Sequence, residues 1–351
     1  MFDIIHGGDI YSQQDSINGE MLDFSANINP FGMAKGVREA LVAAVEKCEV
    51  YPDPLCRRLT AAVAENEDVP LKYVLCGAGA SDLIYRLVYA VRPKTGLVLA
   101  PCFAEYEQAL AAVGCAVRRH ALREEDDFAL TEGILPALTA DVDIFFLCNP
   151  NNPTGSVVEI ELLCRILKRC KENNIILALD ECFNDFLDEP QSYTMKEYLG
   201  DYENLIIFKA FTKMYALAGV RLGYVMCKKR ELLGAMYACG SPWDVSVPAQ
   251  LAGVRATKEK AYVKKTRALI KAERQFLKDE FAALGCRVYA SQANYIFFSP
   301  HVAGLRKKLA ASGILVRDCG NYKGLSGEFC RVAVKTHHEN MLLLSAMKEL
   351  I

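Results

Sequence analysis

From Tyr73 to about Cys227, short apolar runs alternate with stretches whose apolar residues recur at helical spacing. The order is YVLCG, SDLIYRLVYAV, GLVLAP, AEYEQALAAVG, IFFLCNP, EIELLCRILKRCKENN, IILALDE and LIIFKAF. Strand-length runs between helix-period segments predict a doubly wound α/β unit around a mostly parallel sheet. Ligands of such sheets gather outside the carboxyl ends of the strands. Gly77 to Ser81, Asn152, Asp180 and Lys213 all fall just after an apolar run. After Pro248 a long charged amphipathic segment, TKEKAYVKKTRALIKAERQFLKDEFAALG, leads to CRVYAS, NYIFF, a short helical pattern, ILVRD and CRVAVK. This predicts a smaller α+β domain entered through a connecting helix. The expected division is 41–245 for the large domain and 246–351 for the small one, with 1–40 an arm or lid that joins the small domain. Lys258, Lys264 and Glu273 read as a solvated face of the connecting helix.

A chain of 351 residues, 52% hydrophobic, can bury a large core and exceeds the usual single compact domain. Its 41 Lys and Arg nearly balance 43 Asp and Glu, leaving a net charge of -2 and no basic field for nucleic acid or anionic lipid. A small-molecule substrate fits better. Fourteen cysteines are scattered singly, without CxxC pairs, so most read as small buried hydrophobes. His120, His301, His337 and His338 lack ligand spacing, and no metal is expected. The segment MFDIIHGGDI lacks a basic start and an apolar core, and no run approaches the roughly 20 apolar residues that span a membrane. The expectation is a cytoplasmic protein.

Lys213 lies in KAFTKMYALAGVRLGY, where an apolar strand ends. A lone lysine there is usually surface; Arg221, eight residues on, changes the reading, because its planar fork suits a phosphate. Asp180 ends IILALD, a place for a helix cap or for a desolvated carboxylate. CGAGASDLIY reads as a glycine-rich turn opening a helix, with N–H groups of Gly79, Ala80 and Ser81 available to an anion. A dinucleotide site would carry an acid about 20 residues further on; the chain reads LVLAPC there, which argues against a nicotinamide oxidoreductase. Asn152 in CNPNNPTG is a turn former or an amide donor, and Phe103 after another strand end is core or a stacking ring. Together these supply an amine for an imine, an anion cup, an acid, a donor and a ring. Those are the needs of pyridoxal phosphate (PLP), with Lys213 and Asp180 catalytic.

With NPNNPTG, DECF and TK…GVRLGY in order, nearly the whole chain resembles the fold-type I PLP enzymes of the aminotransferase class I/II superfamily. The resemblance implies that Tyr51 in YPDP reaches the cofactor phosphate of a neighbouring subunit, making a homodimer, and that Arg331 binds the substrate α-carboxylate. HGGDI, LDFSANINPFG, PCFAEYEQAL, SPWDVSVPAQ and CGNYKGL are most similar to the threonine-phosphate decarboxylase branch, itself similar to histidinol-phosphate aminotransferases. From that branch, His6, Gly7, Gly8 and Asn29 are expected in the substrate lid and phosphate-recognition region, with Asn152 also near substrate. Two positions depart from many members: Phe183 replaces a tyrosine that would reach the phenolic oxygen, and Ala210 replaces a hydroxyl for the phosphate. Ser81, Thr212 or a water would take over the second role. The resemblance implies decarboxylation of a phosphorylated amino acid, with transamination as the rival, and a non-catalytic PLP-fold regulator as a distant one.

Overall fold

The computed structural model describes residues 7–11, 21–326 and 329–351. In chain order the elements are β1 (Leu22–Asp23), α1 (Lys35–Ala44), α2 (Arg57–Glu67), β2 (Val74–Gly77), α3 (Ala80–Val91), β3 (Thr95–Ala100), α4 (Glu105–Ala112), β4 (Ala116–Ala121), β5 (Ile144–Cys148), α5 (Ile160–Glu172), β6 (Ile176–Asp180), β7 (Leu205–Ala210), α6 (Phe211–Met214) and β8 (Gly223–Cys227). Then follow α7 (Arg230–Ala238), α8 (Val247–Ala256), α9 (Lys260–Ala283), β9 (Arg287–Val288), β10 (Tyr295–Ser299), α10 (Leu305–Ala311), β11 (Ile314–Leu315), β12 (Arg317–Asp318), β13 (Cys330–Ala333) and α11 (His337–Leu350).

The large sheet runs β2-β8-β7-β6-β5-β3-β4. Strand β8 alone runs opposite to the other six, so the expected mostly parallel doubly wound sheet is present. Strands β5 to β7 read as unbroken apolar runs because both faces are covered: Leu147, Leu177 and Ile207 join one core and Phe146, Ala178 and Phe208 the other. Helix α5 buries Leu163, Ile166, Leu167 and Cys170, a spacing that gives one apolar stripe. Strand β4, AVRRHA, carries no such run because it is an edge strand with both arginines exposed.

The second sheet is antiparallel, β12-β13-β10-β9, and β1 pairs in parallel with β11, tying the start of the described chain to this smaller layer. A capping box, Thr336 with Glu339, opens α11. The passage between layers comes one helix later than expected: α8 packs on α1 and α2 and lends Ala249, Ala252 and Ala256 to the core of the large sheet. Glu273 on α9 is also not solvated. It is buried and accepts a hydrogen bond from Asn340 Nδ2 at 2.9 Å, with His337 Nδ1 at 3.2 Å, so it docks α11. Lys258 and Lys264 are exposed as expected. All fourteen cysteines are free, and only Cys48 and Cys239 are exposed.

Candidate active site

At the carboxyl ends of the large sheet a cavity of about 310 Å³ collects residues from β5, β6, the α3 N-terminus, the β7–α6 turn and β13. Lys213 sits in the single helical turn that follows β7, with its ammonium 5.7 Å from the Phe183 ring centroid. Burial, then the positive charges of Arg331 and Arg221, push its pKa down to about 8, against a pull upward from Asp180. A large share of it is therefore a neutral amine near pH 8, the form that attacks a carbonyl carbon.

Asp180 ends β6 on the cavity floor, buried, with Oδ1 accepting from the Cys182 N–H at 2.9 Å and Oδ2 accepting from the Tyr106 hydroxyl at 2.6 Å. It is not a helix cap. The thiols of Cys148 and Cys182, which also line the cavity, are pushed well up by burial and the Asp180 charge, so both stay neutral. Phe103 lines the cavity and meets Tyr106 edge to face at 5.5 Å.

The glycine-rich turn delivers Ala80 and Ser81 to the cavity at the start of α3, where first-turn N–H groups have no intrahelical partner. Gly79 differs from its expected part. Its N–H is taken by the Gly77 carbonyl at 2.8 Å, so it is no anion donor. Its φ of +101° is a glycine conformation, and a Cβ there would come within 2.8 Å of Arg221 Nη2, so the missing side chain is what admits the guanidinium. Arg221 itself has φ +58°, a strained state for a side-chain-bearing residue. Thr212 and Ala210 line the same wall.

Asn152 Oδ1 accepts from Arg331 Nη1 and, at 3.3 Å, from the Tyr322 hydroxyl. With its oxygen so engaged, the amide offers its N–H groups to the cavity. Arg331 is buried, gives Nη2 to the Ser25 carbonyl at 2.8 Å and lies 5.5 Å from the Tyr295 ring centroid. Its Nε has no hydrogen-bond partner among the described residues, a buried donor waiting for an acceptor.

Not every expected residue arrives. Asn29 does not line the cavity: its Nδ2 donates to Met214 O at 2.7 Å and Thr266 Oγ1 at 2.8 Å, while its N–H donates to Lys213 O at 3.1 Å. It clasps the lysine turn to α9, and Asn27, two residues earlier, takes the cavity position with a buried Oδ1 lacking a partner among the described residues. Gly7 lines the cavity, Gly8 donates to Ser25 Oγ at 2.7 Å, and His6 lies outside the described residues. Tyr51 is 78% exposed and stacks on Trp243 at 4.6 Å, outside its own chain's cavity. Asn27, Tyr106 and Tyr322 also bear on the site, none of them marked by its position at a strand end, although all three lie in the motifs that carry the family resemblance: LDFSANINPFG, PCFAEYEQAL and CGNYKGL. Period alone makes Tyr106 a core residue of α4, and nothing local points it at Asp180.

No cluster of metal ligands and no helix long and apolar enough to cross a membrane occurs among the described residues. The donor set does fit PLP: a lysine partly neutral near pH 8, a desolvated carboxylate, an amide with free N–H, a ring, and a helix start beside an arginine. The chain is 36% identical over 357 residues to the threonine-phosphate decarboxylase of Salmonella typhimurium, covering 100% of this chain and 98% of that one. Its fold is similar to the histidinol-phosphate aminotransferase of Clostridium acetobutylicum, with a TM-score of 0.88, 29% identity, and 94% and 98% of the two chains covered. It also matches the histidinol-phosphate aminotransferase of Sinorhizobium meliloti, solved in complex with pyridoxal-5'-phosphate, with a TM-score of 0.86 at 22% identity over 100% and 95% of the chains. The sequence pattern described as "Aminotransferase class I and II" matches residues 19–347, and the chain belongs to that family of PLP enzymes.

Proposed function

We propose that this chain decarboxylates L-threonine O-3-phosphate to (R)-1-amino-2-propanol O-phosphate, a step of cobalamin biosynthesis. One observation carries the choice of a phosphorylated amino acid. Past Phe103 and Tyr322 the cavity adjoins a recess of about 200 Å³ lined by Arg317, Lys323 and Glu107; Glu107 is paired with Arg119, so the recess is left net cationic, separate from Arg221 and the α3 start. Two anion sites suit a cofactor phosphate and a substrate phosphate together. The whole-length similarity to a threonine-phosphate decarboxylase supports loss of carboxylate as the reaction.

Bound PLP supplies an electron sink for the pair left on the substrate Cα when a bond to it breaks. Lys213 holds the cofactor through Nζ, with Asp180 against the pyridine nitrogen and Phe103 against the ring. Ala80, Ser81, Thr212 and Arg221 take its phosphate, and Asn152 donates to its phenolic oxygen. Phe183 carries no hydroxyl to share that last task, so Arg331 and Tyr322, which fix the Asn152 amide, matter more here. Arg331 takes the substrate carboxylate, using the unpartnered Nε together with Nη, and Asn27 receives a substrate N–H or O–H on its open Oδ1. By fixing the carboxylate, Arg331 would orient the bonds at the substrate Cα. Lys213 Nζ would hold the proton to be delivered to the substrate Cα.

The second reading is transamination of histidinol phosphate, favoured by the fold similarity to such enzymes. The two part in one assay. Purified protein, PLP and phosphothreonine with no keto acid release CO2 if the proposal is right; strict dependence on 2-oxoglutarate without CO2 refutes it. Exposed Tyr51 stacks on exposed Trp243, and Val42, Val45, Val50 and Leu55, near Tyr51 in sequence, are exposed as well; these apolar side chains suit a second copy of the chain and support a homodimer in which Tyr51 reaches the partner's cofactor phosphate.

A further inference from the structure

We propose that Tyr106 is a positioning residue that holds Asp180 aimed and ionised, so that the proton between the carboxylate and the cofactor's pyridine nitrogen stays on nitrogen. The inference rests on the proposed pairing of Asp180 with that nitrogen. Tyr106 is fully buried on α4 and its hydroxyl donates to Asp180 Oδ2 at 2.6 Å. Its ring is held on two sides, lying flat on Phe146 of β5 at 5.0 Å and 8° and edge-on to Phe103 at 5.5 Å and 81°. The same side chain thus bears on the carboxylate and on the ring expected to stack on the cofactor.

Oδ1 of Asp180 is already spoken for by the Cys182 N–H. Tyr106 therefore sets the orientation of Oδ2 and spreads part of its negative charge. Burial and the Asp180 charge push the phenol well above its ordinary range, so it remains a donor at any working pH. Hydrogen bonds to the charged form of an acid lower its proton affinity. Without Tyr106 the carboxylate competes more strongly for the pyridinium proton, and in a desolvated site the neutral pair of carboxylic acid and pyridine gains over the ion pair. The ring then loses the positive charge that makes it a good sink. A charge-assisted hydrogen bond of this kind shifts such a balance roughly 10- to 100-fold.

The test is Tyr106→Phe, which removes one oxygen and keeps the ring packing, reconstituted with PLP labelled with ¹⁵N in the pyridine ring. The ¹⁵N shift reports directly whether the nitrogen carries a proton, which a merely structural role would not alter. The wild-type holoenzyme is expected to show a protonated nitrogen and the variant a shift toward the unprotonated value. Turnover of phosphothreonine should fall about tenfold or more in kcat, with KM little changed. Should the phenylalanine variant not fold, 4-aminophenylalanine at 106 keeps a weaker donor, and a shift part of the way is expected. An unchanged ¹⁵N shift in either variant, beside a protonated wild type, overturns this inference and leaves the proposed function standing. A wild-type protein that takes up no PLP brings down both.

Discussion

Replacing Arg331 with Met should raise the pKa of Lys213, and the size of the effect follows from the surroundings of the lysine. Its pKa lies at about 8 against an ordinary 10.5, with burial the largest cause and the Arg331 charge the next. At pH 7 a lysine of ordinary pKa is neutral about once in three thousand molecules, and one at about 8 roughly once in ten, a gain of about 300-fold in attacking amine. The sign is fixed by the direction of the shift: below about pH 8 the ammonium dominates, above it the free base. Formation of the cofactor imine by PLP-free protein should therefore speed up with pH and level off above about 8, followed by absorbance in stopped flow. In Arg331→Met the midpoint moves up and the rate at pH 7 falls. It does not return fully to the ordinary lysine range, because burial and Arg221 remain. The assay contains no substrate, so loss of a carboxylate ligand does not confuse it. A wild-type rate that climbs only above pH 10, or a midpoint unmoved or lowered in the variant, refutes the reasoning.

Gly79→Ala puts a Cβ within 2.8 Å of Arg221 Nη2 at a backbone φ of +101°, a conformation that costs a side-chain-bearing residue about 1–3 kcal/mol. The expected result is PLP affinity weakened roughly tenfold, measured by fluorescence titration; an unchanged Kd would mean the turn does not shape the anion site. Asn29→Ala leaves Met214 O and Thr266 Oγ1 each short of a donor, and should cost about 1–3 kcal/mol in urea unfolding with KM for phosphothreonine unaltered. A raised KM without loss of stability would return Asn29 to the substrate region.

The parallel strands were readable because burial on both faces leaves an unbroken apolar run, as in IFFLC and IILALD. Edge strand β4 was not, since half its surface meets water and AVRRHA resembles loop. Glu273 misled for the opposite reason: its carboxylate is satisfied by Asn340 and His337, more than sixty residues along the chain. The candidate site was readable where a residue closes or follows a strand, as Asp180 and Lys213 do. Asn27 and Asn29 share one motif, and choosing between them needs to know which side of the chain faces the cavity.

The sequence by itself determined the buried strands and the helices between them, the strand-end positions of Lys213, Asp180 and Asn152, and the family, because period, turn residues and motif spacing are local properties of the chain. Tertiary structure alone decided that Gly79 makes room where donation was expected and that Asn29 braces the lysine turn. It also decided that Tyr106 reaches Asp180 across 74 positions and that Arg331 reaches Asn152 across 179. Each of these depends on direction and distance between side chains brought together by packing, and hydrogen bonds and charge shifts act through space with no regard for sequence separation.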